Sequence, residues 1–508
     1  MTARTDETIG AEFVSISRLV VRNFFWLLVC NAMAVCFNFA TNAYLARSLT
    51  EVGFGKLAWV QAVTTYLALF VNSGLSIWGA LEVARRPGHV GQLIIKVVLF
   101  RLVLSVVLLA LLGAIITFWP LTLELRWLLI GSALWMFPFA LNTAWVFQGL
   151  ERMEFVGMST FLDQALYFGL SILWIRDLSD LDIAPLSRAA ASLVVSFLLL
   201  FALGHSLRRA GQKLIKIDKW WHIWRRAIRI GAALILANVY CNFGTILLGI
   251  FKPPEMVGWF NAAFRLFFFV LSMQNLLLNA AYPTISRLFY REKQRAIHFA
   301  QRYLEAVINA VVLLAVVFTV VADHVIGIIY GSKFIDGTIA LRILIWCLVP
   351  IAISGVYGYM ILLPNGNQRE FLFAIATGAI SNVSLNFILV RRFDHAGAAM
   401  ALLFTEVIVA CVMYLLSQKV AKVNFLVPLL SSLSAGIVTG VAVFILGFFI
   451  PFSFGKILLL LTKSVLVSMI YLLLLGTMGF LKLPIQVRNM KAVFNFVKSI
   501  LYLLKYGQ

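Results

Sequence analysis

Charge is scarce in this sequence, and long polar stretches are scarcer still. Asp, Glu, Lys and Arg together make up 12% of its 508 residues, about half of what a soluble chain of this size carries. No polar segment is long enough to fold as an ATPase domain, and no Gly-rich Walker loop is present. Transport by such a chain would draw on ion gradients, the membrane potential or the mass action of its cargo. Cysteine is limited to Cys30, Cys36, Cys241, Cys347 and Cys411. All five lie in apolar runs and none forms CxxC, so they read as small buried hydrophobes, with no disulfide or metal framework. The histidines, at 89, 205, 222, 298, 324 and 395, sit in or beside loops with no HExxH pattern. Neither a catalytic constellation nor a cofactor site is expected.

Apolar residues fill the space that charge leaves. They make up 62% of the chain, and its mean hydropathy is +0.96. Such a chain cannot hold that surface in water. Its apolar runs are long and continuous, unlike the short alternating segments of a barrel, and a bilayer core takes about 20 such residues as a helix. Inside lipid each backbone polar group must be paired within its own segment, so the runs are helices. The first run follows a polar arm, MTARTDETIGAEFVSISR, and is too long for a signal-peptide core; it reads as a retained span. The expected fold class is all-α integral membrane, with about 14 spans.

Lys and Arg then orient the chain. Of the 42, 27 fall on the side that also holds both termini, against 10 in the opposite loops and five within spans. Basic loops stay inside, so both ends are expected in the cytoplasm. The net charge of +21 is thus a topology signal, and nucleic acid is not implied as a partner. Two basic stretches, RRAGQKLIKIDKWWHIWRRAIR (208–229) and RNMKAVFNFVKSILYLLK (488–505), read as amphipathic helices lying on anionic membrane lipids.

The stretch NFATNAYLARSLTEVGFG (38–55) recurs as NFGTILLGIFKPPEMVGWF (242–260). NFxT matches at 38–41 and 242–245, and a Val-Gly pair matches at 52–53 and 257–258. Both copies join one span to the next, with Gly53, Gly55 and Gly258 expected to make the turn. The copies are separated by six expected spans, an even number, so they face the same way. That predicts two six-helix lobes related by an axis along the membrane normal, with a cavity between them. The expected organisation is a cytoplasmic arm (1–18), an N-lobe (19–207), a basic linker (208–226), a C-lobe (227–417), two extra spans (418–481) and an amphipathic tail (482–508).

Ionisable groups inside lipid are costly and face a cavity or a partner. Lys96 and Lys463 lie near span ends, where snorkelling explains them, and Arg101 is read the same way. Glu305 is expected to pair locally with Arg302. Arg265, Asp163 and Glu406 are harder to place, and each is a candidate to line a central cavity; Arg342 is a weaker one. An Asp163–Arg101 pair is the structural alternative. Amides cluster where each lobe begins, among them Asn38, Asn42, Asn238, Asn242 and Asn261. They suggest a wet path, although interhelical glue accounts for many such residues.

NFATNAYLARSLTEVGFGKLAWVQA followed by NSGLSIWGALEVARR (72–86) resembles the opening of the polysaccharide-export and O-antigen flippase family. VGWFNAAFRLFFFV, AAYPTISRL (280–288), YGSKFIDGTIALRIL (330–344) and GAAMALLFTE (397–406) resemble later parts of it. The family belongs to the MOP superfamily, which also holds multidrug antiporters and lipid II flippases. The resemblance implies a lipid-linked oligosaccharide flippase of the bacterial inner membrane. Such a protein would carry an undecaprenyl-pyrophosphate sugar from the cytoplasmic to the outer leaflet, with the polysaccharide polymerase and chain-length machinery as further partners. On that reading Arg47, Arg265, Arg342, Asn42 and Asn261 would bind substrate, and Asp163 and Glu406 would couple an ion. Lipid II flippases show an Arg-Asp pair where Thr41 and Asn42 stand here, which weakens but does not remove a peptidoglycan precursor as cargo. A multidrug or cation antiporter is the third reading; it would want acids and aromatics in place of arginine. A membrane-bound sugar polymerase would need a large outer loop, and every outer loop here is short.

Overall fold

The computed structural model describes residues 2–86, 90–208, 220–449 and 456–477. The tail at 482–508 and the middle of the basic segment at 209–219 lie outside the described residues, as do the side chains of Asn238, Cys241 and Lys463. Within them the chain is helical throughout. In order the helices are α1 (Thr2–Asn72), α2 (Leu75–Arg85), α3 (Val90–Phe118), α4 (Leu123–Ala133), α5 (Met136–Leu141), α6 (Ala144–Gly149), α7 (Met153–Trp174) and α8 (Ile183–Arg208). The second half continues with α9 (Trp220–Phe251), α10 (Pro254–Arg291), α11 (Lys293–Ile329), α12 (Thr338–Trp346), α13 (Leu348–Gly355), α14 (Gln368–Ser417), α15 (Leu426–Phe449) and α16 (Lys456–Thr477).

Nine segments among the described residues are long and apolar enough to cross a membrane. The sequence reading divides the same chain more finely: Trp26–Arg85 and Gln368–Ser417 each hold two arms, and α9, α15 and α16 contribute only shorter apolar stretches, Asn242–Phe251, Leu426–Ala442 and Ser464–Leu475, among the described residues. α1 is kinked at Thr50 (φ 60°, ψ 177°) and α14 at Phe393 and Asp394, the latter with φ 53°. Leu123–Gly149, read as one span, is broken twice, giving α4, α5 and α6. Local chemistry sets several ends. The Thr122 hydroxyl accepts from Leu125 N–H to open α4, and Pro254 opens α10 at a position where its missing N–H costs nothing. The α7–α8 connection is held by reciprocal caps: Asp177 accepts from Ser179 N–H at 2.9 Å and Asp180 accepts from Arg176 N–H at 2.8 Å.

The expected glycine turn is corrected. Gly53, Gly55 and Gly258 all have ordinary helical backbone, and the bend in α1 falls on Thr50. What the glycines supply is close approach. A Cβ on Gly55 would stand 1.8 Å from the Pro254 carbonyl oxygen, and one on Gly258 would stand 2.2 Å from that of Glu51. The two copies of the repeated joint therefore pack backbone to backbone, α1 on α10. Trp59 completes the seam: its indole donates to Ile246 O at 3.1 Å and fills the space beside Gly249.

Most buried apolar side chains form one core drawn from both halves, including Leu49, Phe54, Phe260 and Phe334. A smaller core gathers Leu75, Val83, Trp145 and Phe147 with Val97, Leu199 and Ala227. Long stripes of α3 and α8 instead point outward, with Ile95, Val106 and Phe201 among the most exposed. That inversion of the soluble pattern fits a lipid-facing surface.

Candidate functional site

Between the two halves lies a cavity of about 310 Å³. α1, α4, α7 and α8 wall it on one side, and α9 and α10 on the other. Its polar lining includes Asn42, Gln61, Arg188, Asn242, Asn261 and Arg265. Three of the five expected substrate residues, Arg265, Asn42 and Asn261, thus reach one space.

Arg265 projects from α10 across the seam, and its Nη2 donates to Gln61 Oε1 of α1 at 3.4 Å. Its Nε is buried without a hydrogen-bond partner. No ion pair to a described carboxylate balances it.

Arg188, on the first turns of α8, is the cation the sequence reading missed. Its Nη2 stands 3.0 Å from Asp163 Oδ2, and its guanidinium lies 5.1 Å from the Tyr167 ring centre and 5.5 Å from that of Trp135. Ser192 Oγ donates to Asp163 Oδ1 at 2.6 Å and accepts from Trp135 Nε1 at 2.9 Å. Arg188 sits at the edge of its span and so looked like an ordinary loop charge. The available signal was the Arg188–Ser192 spacing of four, which puts both on one helix face.

The amides extend the same network. Asn42 Nδ2 donates to Asn38 O at 2.7 Å, Asn38 Nδ2 to Gln164 Oε1 at 3.0 Å, and Gln164 Nε2 to Asp163 Oδ2 at 3.1 Å. Asn261 turns back on its own helix, donating to Val257 O at 2.9 Å. Asp163 and Arg188 cancel in charge, so Arg265 leaves the cavity net positive. In a space of low effective dielectric that excess acts strongly on an anion.

Glu406 is elsewhere. It is 5% exposed and lines a second cavity of about 260 Å³ within the second half, with Gln274, Asn275, Tyr303 and Tyr359. Phe264 and Phe268 of α10 line both cavities.

Two expected substrate residues are not brought to either cavity. Arg47 Nε donates to Ile329 O at 2.7 Å, and its Nη2 donates to Ile328 O. These carbonyls close α11, where no further turn of helix satisfies them and where a cation is favoured. Arg342 pairs with Asp323 at 2.8 Å and donates to Thr319 O at 3.1 Å. Arg101 also departs from expectation. It does not snorkel and does not meet Asp163; it is 1% exposed and bonds to Asn72, Ser76 and Asn142. Glu305 and Arg302 do lie within 3.5 Å of each other.

The fold is shared with solved membrane transporters. Over 89% of this chain and 98% of the other, the fold matches the lipid II flippase MurJ in an inward closed conformation, with a TM-score of 0.69 at 11% identity. An inward-facing MATE family multidrug resistance transporter matches over 76% and 94%, with a TM-score of 0.61 at 15% identity. By sequence the chain belongs to the polysaccharide biosynthesis protein family, whose model matches residues 20–289. It is similar to a protein named "Putative O-antigen transporter" from Escherichia coli (strain K12), 24% identical over 77% of this chain and 95% of that one. A protein of the same name from Shigella dysenteriae is also 24% identical, over 77% and 98%.

Proposed function

We propose that this protein is a flippase for a lipid-linked oligosaccharide. It carries an undecaprenyl-pyrophosphate sugar from the cytoplasmic to the outer leaflet of a bacterial inner membrane by alternating access of its two halves, for surface polysaccharide biosynthesis. Kinship with O-antigen transporters supports the cargo class. The observation that carries the reading is the pair of guanidinium groups, Arg188 and Arg265, on opposite walls of one cavity, with Asp163 paired to the first and no described carboxylate paired to the second.

The two arginines hold the pyrophosphate from both halves at once, since charge-assisted bonds are the strong ones where water is scarce. Asp163 orients Arg188 and, on this reading, is not the coupling group. Glu406 carries that role in its own cavity, and α10 links the two because Phe264 and Phe268 face both. Arg47 and Arg342 anchor helix ends. A cationic drug would meet net positive charge in the inter-lobe cavity, which disfavours the antiporter reading. Both termini lie in the cytoplasm, so the α1–α10 glycine seam closes the outer end of the cavity.

The test is surface polysaccharide in cells producing normal levels of Arg265→Ala, Arg265→Lys or Arg188→Ala protein. The proposal expects the alanine variants to lose export. Undiminished export by Arg265→Ala would remove that residue from the mechanism.

A further inference from the structure

We propose that Arg101 is a positioning residue that pins two helix breaks and so holds α2 and α6 as one flap across an end of the inter-lobe cavity. The functional half of this inference rests on the flippase reading above; its structural half does not.

Two of the chain's passes are interrupted. α1 ends at Asn72, and Ser73 and Gly74 take φ values of 41° and 80° before α2 begins. α5 ends at Leu141, and Asn142 and Thr143 leave the helical conformation before α6 begins. Each break frees backbone groups and creates a place where a short helix can swing.

A single guanidinium reaches both. Arg101 of α3 donates through Nη2 to Asn72 Oδ1 at 2.7 Å and to Ser76 Oγ at 2.8 Å. Its Nη1 lies 3.5 Å from the Asn142 carbonyl oxygen, the group exposed at the second break. The same Asn72 oxygen accepts from Ser76 N–H at 3.1 Å, so the Arg101 bond also steadies the cap that starts α2. A charge buried without a carboxylate is expensive in a membrane. What it supplies here is geometry, because a planar fork spans two separated acceptors where other side chains cannot.

The two short helices also fit as one body. A Cβ on Gly79 would stand 2.6 Å from the Trp145 ring, and one on Gly149 would stand 2.5 Å from Ala80 O. The flap in turn closes on the second half. A Cβ on Gly74 would lie 2.4 Å from Ala227 O, and one on Gly231 would lie 2.4 Å from the Ser73 carbonyl carbon. The cavity residues on the second arm of α1, from Ala58 to Thr65, lie between this contact and the Gly55 seam. The break that Arg101 pins therefore stands at the end of the cavity opposite that seam.

Hydrogen–deuterium exchange on the purified full-length protein in nanodiscs tests the pin directly, with export measured in parallel. Arg101→Met should speed exchange in 75–85 and 144–149 together, by about tenfold or more, the factor expected when hydrogen bonds to a charged group are lost. Exchange in α7 and α10 should be unchanged, and export should fall. Asn72→Leu, which removes one acceptor, should loosen 75–85 alone. Arg101→Lys should protect one segment and not both. Wild-type protection of either segment in Arg101→Met overturns the proposal. So does a uniform rise over the whole first half, which marks a merely stabilising residue. Should Arg101→Met fail to fold, Arg101→Lys and Asn72→Leu decide it, and wild-type exchange in both overturns it. Selective loosening with intact export would leave the pin standing and overturn its functional half, while the flippase reading stands or falls with Arg265 and Arg188.

Discussion

Arg188 and Arg265 are held very differently, and their variants should behave differently. Arg188 is fixed by Asp163, two rings and a hydroxyl relay, so Asp163→Asn should misplace it while keeping its charge. Export by Asp163→Asn, normalised to protein level, should fall close to that of Arg188→Ala, and the double variant should be little worse than either single one. Fully additive losses would show that Asp163 acts independently of Arg188. Arg265 has one long bond to Gln61, so Gln61→Ala should cost far less than Arg265→Ala. Arg265, Asp163 and Glu406 could be singled out from sequence because an ionisable residue in an apolar run is conspicuous whatever it faces. Their partners could not. Arg188 looked like a loop charge, Arg101 looked able to snorkel, and the separation of Glu406 from Arg265 depends on how α10 sits between two cavities.

Helix by helix, small residues decide where the halves touch. Gly55→Ala drives a methyl group into the Pro254 carbonyl, and overpacking of this kind costs about 1–3 kcal/mol. Gly113 and Gly169 face open space within 4 Å. Gly55→Ala and Gly258→Ala should therefore lower the unfolding temperature of the purified protein and impair export, whereas Gly113→Ala and Gly169→Ala should leave both near wild type. Equal effects at all four positions would contradict the seam. Hydropathy exposed most apolar segments because lipid demands them, and the repeat drew attention to 38–55 and 242–260, two stretches that approach each other closely at Gly55 and Gly258. It misassigned what their glycines do. Local sequence suggests a turn wherever glycine follows an apolar run, but whether it bends the chain or admits a neighbour depends on the other helix. The break at Ser73 was legible in Asn72-Ser73-Gly74, a turn signal that the hydropathy of the flanking run outweighed, whereas Asn142-Thr143 is a weaker signal inside its run.

As a whole, the bundle encloses its polar cavity between two backbone contacts, Gly55 with α10 and Gly74 with Gly231. Gly231→Val should wedge the second contact open. In a background without the native cysteines, Thr65→Cys should then react faster with a membrane-impermeant maleimide, and unchanged reactivity would argue against a gate there. The central claim is that this cavity binds a lipid-linked pyrophosphate through cations from both halves. Its most direct measurement is binding of an undecaprenyl-pyrophosphate oligosaccharide to the purified protein in nanodiscs, comparing wild type, Arg265→Ala and Arg188→Ala. The account predicts that each alanine variant, folded and of unchanged melting temperature, binds roughly 10–100-fold more weakly, as loss of a hydrogen bond to a charged group implies. Binding by both variants as tight as that of wild type would contradict it.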